Sequence, residues 1–407
     1  MKLERLTVRN FRNLDFLELA PDERLNFLVG SNGQGKTSIL EAIGYLSSLR
    51  SFRGSKSAEV IRWGESLAEI SAFIQPEKQT AEDAGDWRTT LKVSFVTHPD
   101  QRDKIAKTAF INGKPYKSST QYLSQRFGSF HMGFHAVVFN PSDHDLVRGE
   151  PAGRRGYLDR LLAASDLEYL RLAQRYQRIL EQRNAVLRNG EPSASALLAG
   201  FTEPLAQTGS EMVLKRLEAM KELETRGINA LYKIAPKLPF FRLNYFSSWA
   251  EKTLQLSGFT EPPGGAYFTG QRTLPSLELL EKAFRNQVSN LGPAEWKAGH
   301  TLVGPHRDDW GFSLGQMPLK GHGSQGEVRS MLLALKLAEI ELFQSETGHR
   351  PLFLLDDFSS ELDQERREFL IHFLSASGLQ VFITTTEEPK YPGKRFLISD
   401  GAVTNVS

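Results

Sequence analysis

The chain has 407 residues, 40% of them hydrophobic, and sets Lys+Arg 50 against Asp+Glu 48 for a formal net charge of +2. This length permits two or three domains and a large core, and so even a charge balance confines any nucleic-acid surface to a local patch. A cysteine count of 0 excludes disulfides, thiolate metal sites and cysteine nucleophiles, and suits a reducing interior. Met1-Lys2-Leu3-Glu4 carries no signal-peptide core, and no apolar run approaches the length needed to cross a bilayer. A soluble, cytoplasmic protein without a membrane partner is expected.

In chain order, residues 3–8 and 14–19 alternate as paired strands. Residues 25–29 (LNFLV) form a short apolar run expected as a buried strand, and residues 38–43 read as the helix that follows. Residues 67–74 and 91–96 read as two more strands with a polar loop over 75–87 between them, and Asn112-Gly113 gives a hairpin turn. From Arg154 the period becomes helical, with Tyr157, Leu158, Leu161 and Leu162 leading into Leu170, Leu172, Tyr176, Ile179, Leu180 and Leu187. Asn189-Gly190-Glu191-Pro192 stops that helix, and a second runs over about 194–231. Laid antiparallel, the two would make an arm. Residues 236–298 are mixed, with a loop at Pro262-Pro263-Gly264-Gly265 and a last helix over 277–290. The expected class is α/β. Residues 1–150 and 299–407 are expected to form one domain of mixed sheets with flanking helices, and residues 151–298 a mainly helical arm domain.

Gly30-Ser31-Asn32-Gly33-Gln34-Gly35-Lys36-Thr37 fits G-x-x-x-x-G-K-[ST] in full and lies between a strand and a helix, as that motif requires. Backbone N–H groups of the turn and of the helix start, as far as Ser38, would face phosphates. Lys36 would reach the β/γ-phosphates and Thr37 offer its hydroxyl to Mg²⁺, so ATP and Mg²⁺ are the expected cofactors. Residues 351–355 (PLFLL) read as a buried strand ending in Asp356-Asp357. A carboxylate at such a tip, beside the P-loop strand, can hold Mg²⁺ through water, the role expected of Asp356. Asp357 is then placed to orient or deprotonate the attacking water. Ser324-Gln325-Gly326-Glu327 opens a helix, and a hydroxyl beside a glycine at a helix N-terminus makes an anion site. Alone, the aspartate pair is equally readable as a strand-end turn.

The order P-loop, serine–glycine signature, Asp-ended strand and Ser360-Glu361-Leu362-Asp363 loop resembles the ABC-type ATPase head. That resemblance implies that Ser324, Gln325, Gly326 and Glu327 contact the γ-phosphate of ATP held by a second copy, with Asp363 at the same seam. More closely, residues 1–13 (MKLERLTVRNFRN), 141–159 (PSDHDLVRGEPAGRRGYLD), 301–309 (TLVGPHRDD), 324–339 (SQGEVRSMLLALKLAE) and 381–387 (VFITTTE) resemble the RecF family of bacterial recombinational-repair proteins. The resemblance implies a DNA-binding ATPase of repair, replication and the SOS response. It would form an ATP-dependent homodimer that clamps dsDNA near ssDNA–dsDNA gap junctions. RecR- and RecO-like mediators would be its partners, helping a RecA-like recombinase displace single-strand-binding protein.

Three departures bear on the chemistry. Transporter heads carry a histidine after the last strand; the position here falls on Thr386, which can hydrogen-bond a γ-phosphate but cannot act as a base at neutral pH. Asn140-Pro141-Ser142 lies near the place of their glutamine, with no substitute assigned. Asp357 stands where many relatives have glutamate, and misplacement on the order of 1 Å can cost about 100-fold in rate, so hydrolysis should be slow, a timer rather than a motor. The rival readings are a transporter's ATPase subunit, a scaffold whose site never turns over, and a P-loop kinase, which would not need the signature.

Basic clusters offer DNA surfaces. Arg50, Arg53 and Lys56 follow the P-loop helix; Lys104, Lys107, Lys114, Lys117 and Arg126 lie on the strand-rich lobe; Arg171, Arg175 and Arg178 fall at helical spacing on the arm. The first is preferred, because it leaves the nucleotide helix. Each is also readable as a solvated face, and the arm stripe as pairing with nearby glutamates. His131, His135 and His144 read as surface or packing histidines, and Gly304-Pro305-His306-Arg307-Asp308-Asp309 as a buried polar turn rather than a metal site.

Overall fold

The computed structural model describes residues 2–54, 57–75, 88–98, 101–125, 134–190, 194–258, 272–315, 317–357 and 364–407. Lys56, Arg126, His131, all but Gln75 of the loop expected over 75–87, the loop at 262–265, and the Ser360 to Asp363 segment with its seam residue Asp363 lie outside the described residues; Gln75 closes a strand. The chain divides into two compact units, Met1–Asp143 with Glu339–Ser407, and His144–Ala338. The boundaries drawn from sequence fall at 150 and 298; the structural ones fall at 143 and 338.

In the first unit, β1 (Lys2–Phe11), β2 (Leu14–Leu19) and β3 (Leu25–Val29) precede α1 (Lys36–Ser48). β4 (Leu67–Gln75), β5 (Thr89–His98), β6 (Gln101–Ile111) and β7 (Lys114–Tyr116) follow. The hairpin between β6 and β7 turns at Asn112 (φ 48°) and Gly113 (φ 79°), the left-handed pair that a two-residue turn needs to match strand twist. These strands make an antiparallel sheet in the order β2-β1-β4-β5-β6-β7. Its inner positions alternate along β1 and β4, where Leu3, Leu6, Val8, Ala68, Ile70, Ala72 and Ile74 are buried. After α2 (Ser119–Ser124) comes β8 (Ala136–Phe139).

The second unit is mostly helical. It contains α3 (His144–Arg148), α4 (Pro151–Ser165), α5 (Leu167–Asn189), α6 (Ser195–Ile234), β9 (Phe241–Phe246), α7 (Glu251–Leu256) and α8 (Leu277–Ala298). Next come β10 (Asp309–Leu314), β11 (Met317–Pro318) and the short α9 (Leu319–His322). Asp166 caps α5 by accepting from the N–H groups of Glu168 and Tyr169. β10 pairs antiparallel with β9 from Asp309↔Phe246 to Leu314↔Phe241. That pairing keeps residues beyond 298 within this unit.

The long α10 (Gln325–Thr347) carries the chain from the second unit into the first, where β12 (Leu352–Leu355), α11 (Gln364–Ser377), β13 (Val381–Thr385), β14 (Lys394–Ser399) and β15 (Ala402–Val406) complete a second sheet. Its order is β15-β14-β3-β13-β12-β8, parallel except for β15. Every residue of β3, β12 and β13 is buried, as continuous apolar runs in a parallel sheet require. α1 is buried nearly all round, through Ile39, Leu40, Ala42, Ile43, Tyr45 and Leu46, and shares one apolar core with both sheets of this unit. Tyr45 meets Phe95 edge-on at 5.0 Å.

Candidate functional site

Register decides what gathers at one edge of the parallel sheet. Val29 pairs with Thr385, Leu355 with Ile383, and Leu355 with Phe139, so the chain leaves β3, β12, β13 and β8 at a common rim. The loop of Gly30, Ser31, Asn32, Gly33, Gln34 and Gly35, the pair Asp356-Asp357, Thr386 and Asn140 all stand there. Ligands of parallel α/β sheets bind beyond such carboxyl ends.

The loop is held in shape by contacts within the protein. Gly35 has φ 105°, and a Cβ there would come within 2.8 Å of Leu14 Cδ2, so only glycine fits. Gly33 (φ 82°) faces open space, with nothing within 4 Å of an ideal Cβ. Asn13 Nδ2 donates to Gly33 O (3.0 Å), and Ser38 Oγ donates to Asn13 Oδ1 (2.8 Å). On the other side, the N–H of Gly401 donates to Gln34 O (3.0 Å). Lys36 Nζ donates to Gly30 O (2.6 Å) and Ser31 O (2.8 Å). Burial holds its ammonium below the usual lysine range, while Asp356 and Asp357 pull the other way.

Thr37 Oγ1 donates to Asp356 Oδ1 at 2.9 Å, joining residues 319 apart in sequence. Thr384 Oγ1 donates to the same oxygen at 2.8 Å and accepts from the Asp357 N–H at 2.7 Å. Burial raises the Asp356 carboxyl above the usual carboxylate range, and the two threonine hydrogen bonds oppose it. Asp357 is half-buried and holds a left-handed backbone (φ 57°), a conformation that costs a non-glycine residue about 1–2 kcal/mol. The hydroxyl of Thr37 and the carboxylate of Asp356 are hard oxygen donors and fit Mg²⁺. No three His, Asp or Glu side chains among the described residues can hold a metal together, so phosphate oxygens and water would fill the remaining positions.

The structure also places residues that the motif reading passed over. Arg12 (φ 58°) clasps the fully buried Glu41 of α1 through Nε (3.0 Å) and Nη2 (2.6 Å), while Nη1 donates to Glu59 O (2.7 Å). Arg53 Nη1 lies 3.7 Å from Glu41 Oε2. Arg50 is exposed, and Lys107 donates to Leu49 O at 2.8 Å. Thr384 reaches Asp356, and Thr386 is exposed beyond the end of β13. Alternation along a strand tells which threonines share a face but not which of the three reaches the neighbouring tip. Asn140 is buried, accepts from the Ser142 N–H (2.8 Å) and gives its own N–H to Asp143 Oδ2 (2.9 Å). His135 stacks on Phe343 with centroids 4.7 Å apart.

The signature lies in the second unit. Ser324 Oγ accepts from the Glu327 N–H (3.3 Å), and Glu327 Oε2 accepts from the Ser324 N–H (2.8 Å), a capping box at the start of α10. These hydrogen bonds hold the Glu327 carboxyl below its usual range. Ser324 and Gln325 are exposed, and Gly326 and Glu327 half-buried. The 301–309 turn is tied down in the same unit. Arg154 makes a bidentate pair with Asp309 (2.7 and 2.8 Å), and Arg216 donates to Asp159 (2.9 Å) and to Pro305 O (2.9 Å). Asp308 accepts from Tyr245 (2.9 Å) and Trp249 (3.0 Å), and burial pushes it up to about 7. His306, hydrogen-bonded to Tyr176 (2.6 Å), is pushed down by burial to about 4.

A P-loop between a buried parallel strand and a buried helix, an aspartate hydrogen-bonded to the P-loop threonine, and an exposed serine-capped helix define an ABC-type P-loop ATPase head. The family model described as RecF/RecN/SMC N terminal domain matches residues 2–397. The DNA replication and repair protein RecF of Geotalea daltonii (strain DSM 22248 / JCM 15807 / FRC-32) is 33% identical over 390 residues, covering 95% of this chain and 93% of that protein. Its counterpart from Geotalea uraniireducens (strain Rf4) is 34% identical over 413 residues, covering 99% and 100%. The solved structure of the recombination mediator protein RecF-ATP in the RecFOR pathway superposes with a TM-score of 0.81 at 28% identity, covering 100% of this chain and 96% of that one. The chain belongs to the RecF family.

Proposed function

We propose that this protein is an ATP-controlled dimeric DNA clamp of recombinational repair. ATP with Mg²⁺ occupies the loop from Gly30 to Ser38. Lys36 would reach the β/γ-phosphates, and Thr37 and Asp356 would hold the ion, which would neutralise phosphate charge. Asp357 orients the attacking water. Because Ser324 stands exposed at a helix start, its N–H groups and hydroxyl suit a phosphate presented by a second copy, which makes nucleotide the link between two protomers. The observation that carries this reading is the Thr37–Asp356 hydrogen bond, which assembles the phosphate and metal halves of a nucleotide site from opposite ends of the chain. The likeness to RecF-ATP supports the same ligand.

The closed dimer holds duplex DNA near single-strand gaps and works with RecR- and RecO-like mediators to help a RecA-like recombinase displace single-strand-binding protein. Arg50 and Arg53, on the segment leaving α1, are the proposed contacts to phosphate. Hydrolysis is slow, DNA-stimulated, and opens the clamp. A cytoplasmic location suits this work, and no described helix is long and apolar enough to cross a membrane. Light scattering with a non-hydrolysable ATP analogue and gapped duplex tests the proposal. A mass of two chains is expected; a monomer at high concentration with both ligands present overturns it.

A further inference from the structure

Between α5 and α6, within the second unit, a cavity of about 400 Å³ opens at the surface. Its α5 wall is Arg175, Arg178, Ile179 and Gln182, spaced i, i+3, i+4, i+7 along one helical face. Its α6 wall is Gly200, Phe201 and Pro204. Both arginines are exposed, and among the described residues neither forms a hydrogen bond or ion pair. The acids near them are engaged elsewhere: Glu181 accepts from Gln177 (2.7 Å), and Glu203 is held by Arg285 (2.7 and 2.9 Å). The expectation that this stripe pairs with neighbouring glutamates does not hold among the described residues.

Two features of α6 shape the groove. Pro204 sits inside the helix and has no N–H, so the Gly200 carbonyl one turn earlier lacks its ordinary helical partner. Gly200 itself leaves room, since an ideal Cβ there meets nothing within 4 Å. Leu197, one turn further back, is 56% exposed and extends the apolar stripe of Phe201 and Pro204. The groove therefore combines an apolar floor, two uncommitted guanidinium groups and a backbone acceptor.

We propose that this groove docks a short acidic segment of a partner protein that carries one large apolar side chain. The apolar side chain enters between Ile179 and Phe201, carboxylates meet Arg175 and Arg178, and a peptide N–H meets the Gly200 carbonyl. Duplex DNA would use the arginines but has nothing to seat in an apolar concavity, which favours the peptide.

Fluorescence anisotropy of the full chain tests this with three labelled probes: the peptide Asp-Asp-Phe-Asp-Asp, the same peptide with alanine at its centre, and a short duplex DNA. The phenylalanine peptide is expected to bind about tenfold more tightly than the alanine one, the effect of burying an aromatic side chain. Arg178→Glu should weaken the phenylalanine peptide about tenfold. Gly200→Leu should abolish peptide binding by filling the groove, leave duplex binding unchanged, and keep or raise the melting temperature, because leucine favours helix over glycine. Equal binding of the two peptides overturns the proposal. So does loss of duplex binding but not peptide binding in Arg178→Glu, which would make the stripe a phosphate surface. Arg178→Glu lies on an exposed position and remains a test should Gly200→Leu fold poorly.

Discussion

At the scale of single residues, Thr384 is the side chain on which the site turns. It holds Asp356 by donating and the Asp357 backbone by accepting, so one hydroxyl ties the first carboxylate to the backbone of the second aspartate. Thr384→Val removes it with little change of volume. ATP affinity should stay within about threefold while turnover falls about 10–100-fold, the usual effect of losing such a supporting contact; equilibrium binding and steady-state hydrolysis separate the two. Arg12 makes a different case. Glu41 is fully buried, and taking away its bidentate partner leaves only the longer contact from Arg53 at 3.7 Å to compensate its charge. Arg12→Ala should cost about 3 kcal/mol in denaturant unfolding, and Arg12→Lys should recover only part of it, because an ammonium cannot make the forked contact.

At the scale of elements, two devices stand out. The capping box at α10 keeps Ser324 fixed yet exposed. Ser324→Arg should leave ATP binding by the monomer intact and block ATP-dependent association, read by light scattering, since bulk and positive charge would fill the proposed seam. The second device is the buried turn of the second unit. Asp308 is raised from 3.8 to about 7, so across that window the native state holds a proton that the unfolded chain has lost, and stability falls as pH rises. His306 is lowered from 6.5 to about 4, so across its window the unfolded chain takes a proton that the native state refuses, and stability falls as pH drops. The two slopes oppose each other where the windows overlap. Asp308→Asn removes the first, so its unfolding midpoint in urea should drop more steeply than wild type between about pH 6.5 and about pH 4.5.

At the scale of the whole molecule, the phosphate loop and the signature fall in separate compact units. ATP bound to the monomer should therefore stabilise the first unit chiefly. At about 100 times Kd the gain is about 2.7 kcal/mol, and scanning calorimetry should show the transition of that unit rising while the other moves less. Lys36→Ala should lose this shift together with ATP-driven association.

Much of this was legible in the amino-acid order. The apolar runs of β3 and β12, the glycine and lysine of the phosphate loop, the aspartate pair and the Asn112-Gly113 hairpin each announce themselves through a local rule, because strand burial, turn geometry and phosphate approach are set by neighbours in sequence. The family resemblance of the 301–309 segment could be read the same way, and so could its burial as a polar turn.

What sequence alone determined was thus the set of groups on offer: a glycine-rich loop ending in lysine and threonine, an aspartate pair at a strand tip, a serine-capped helix. Tertiary structure decided which groups meet. It selected Thr384 from three consecutive threonines, gave Arg12 to Glu41, kept β10 with the helical unit, and left Arg175 and Arg178 over an apolar groove. The reason is range. Helical and strand periods constrain residues a few positions apart, whereas strand order and register, which bring residue 37 to residue 356, follow from packing the whole chain.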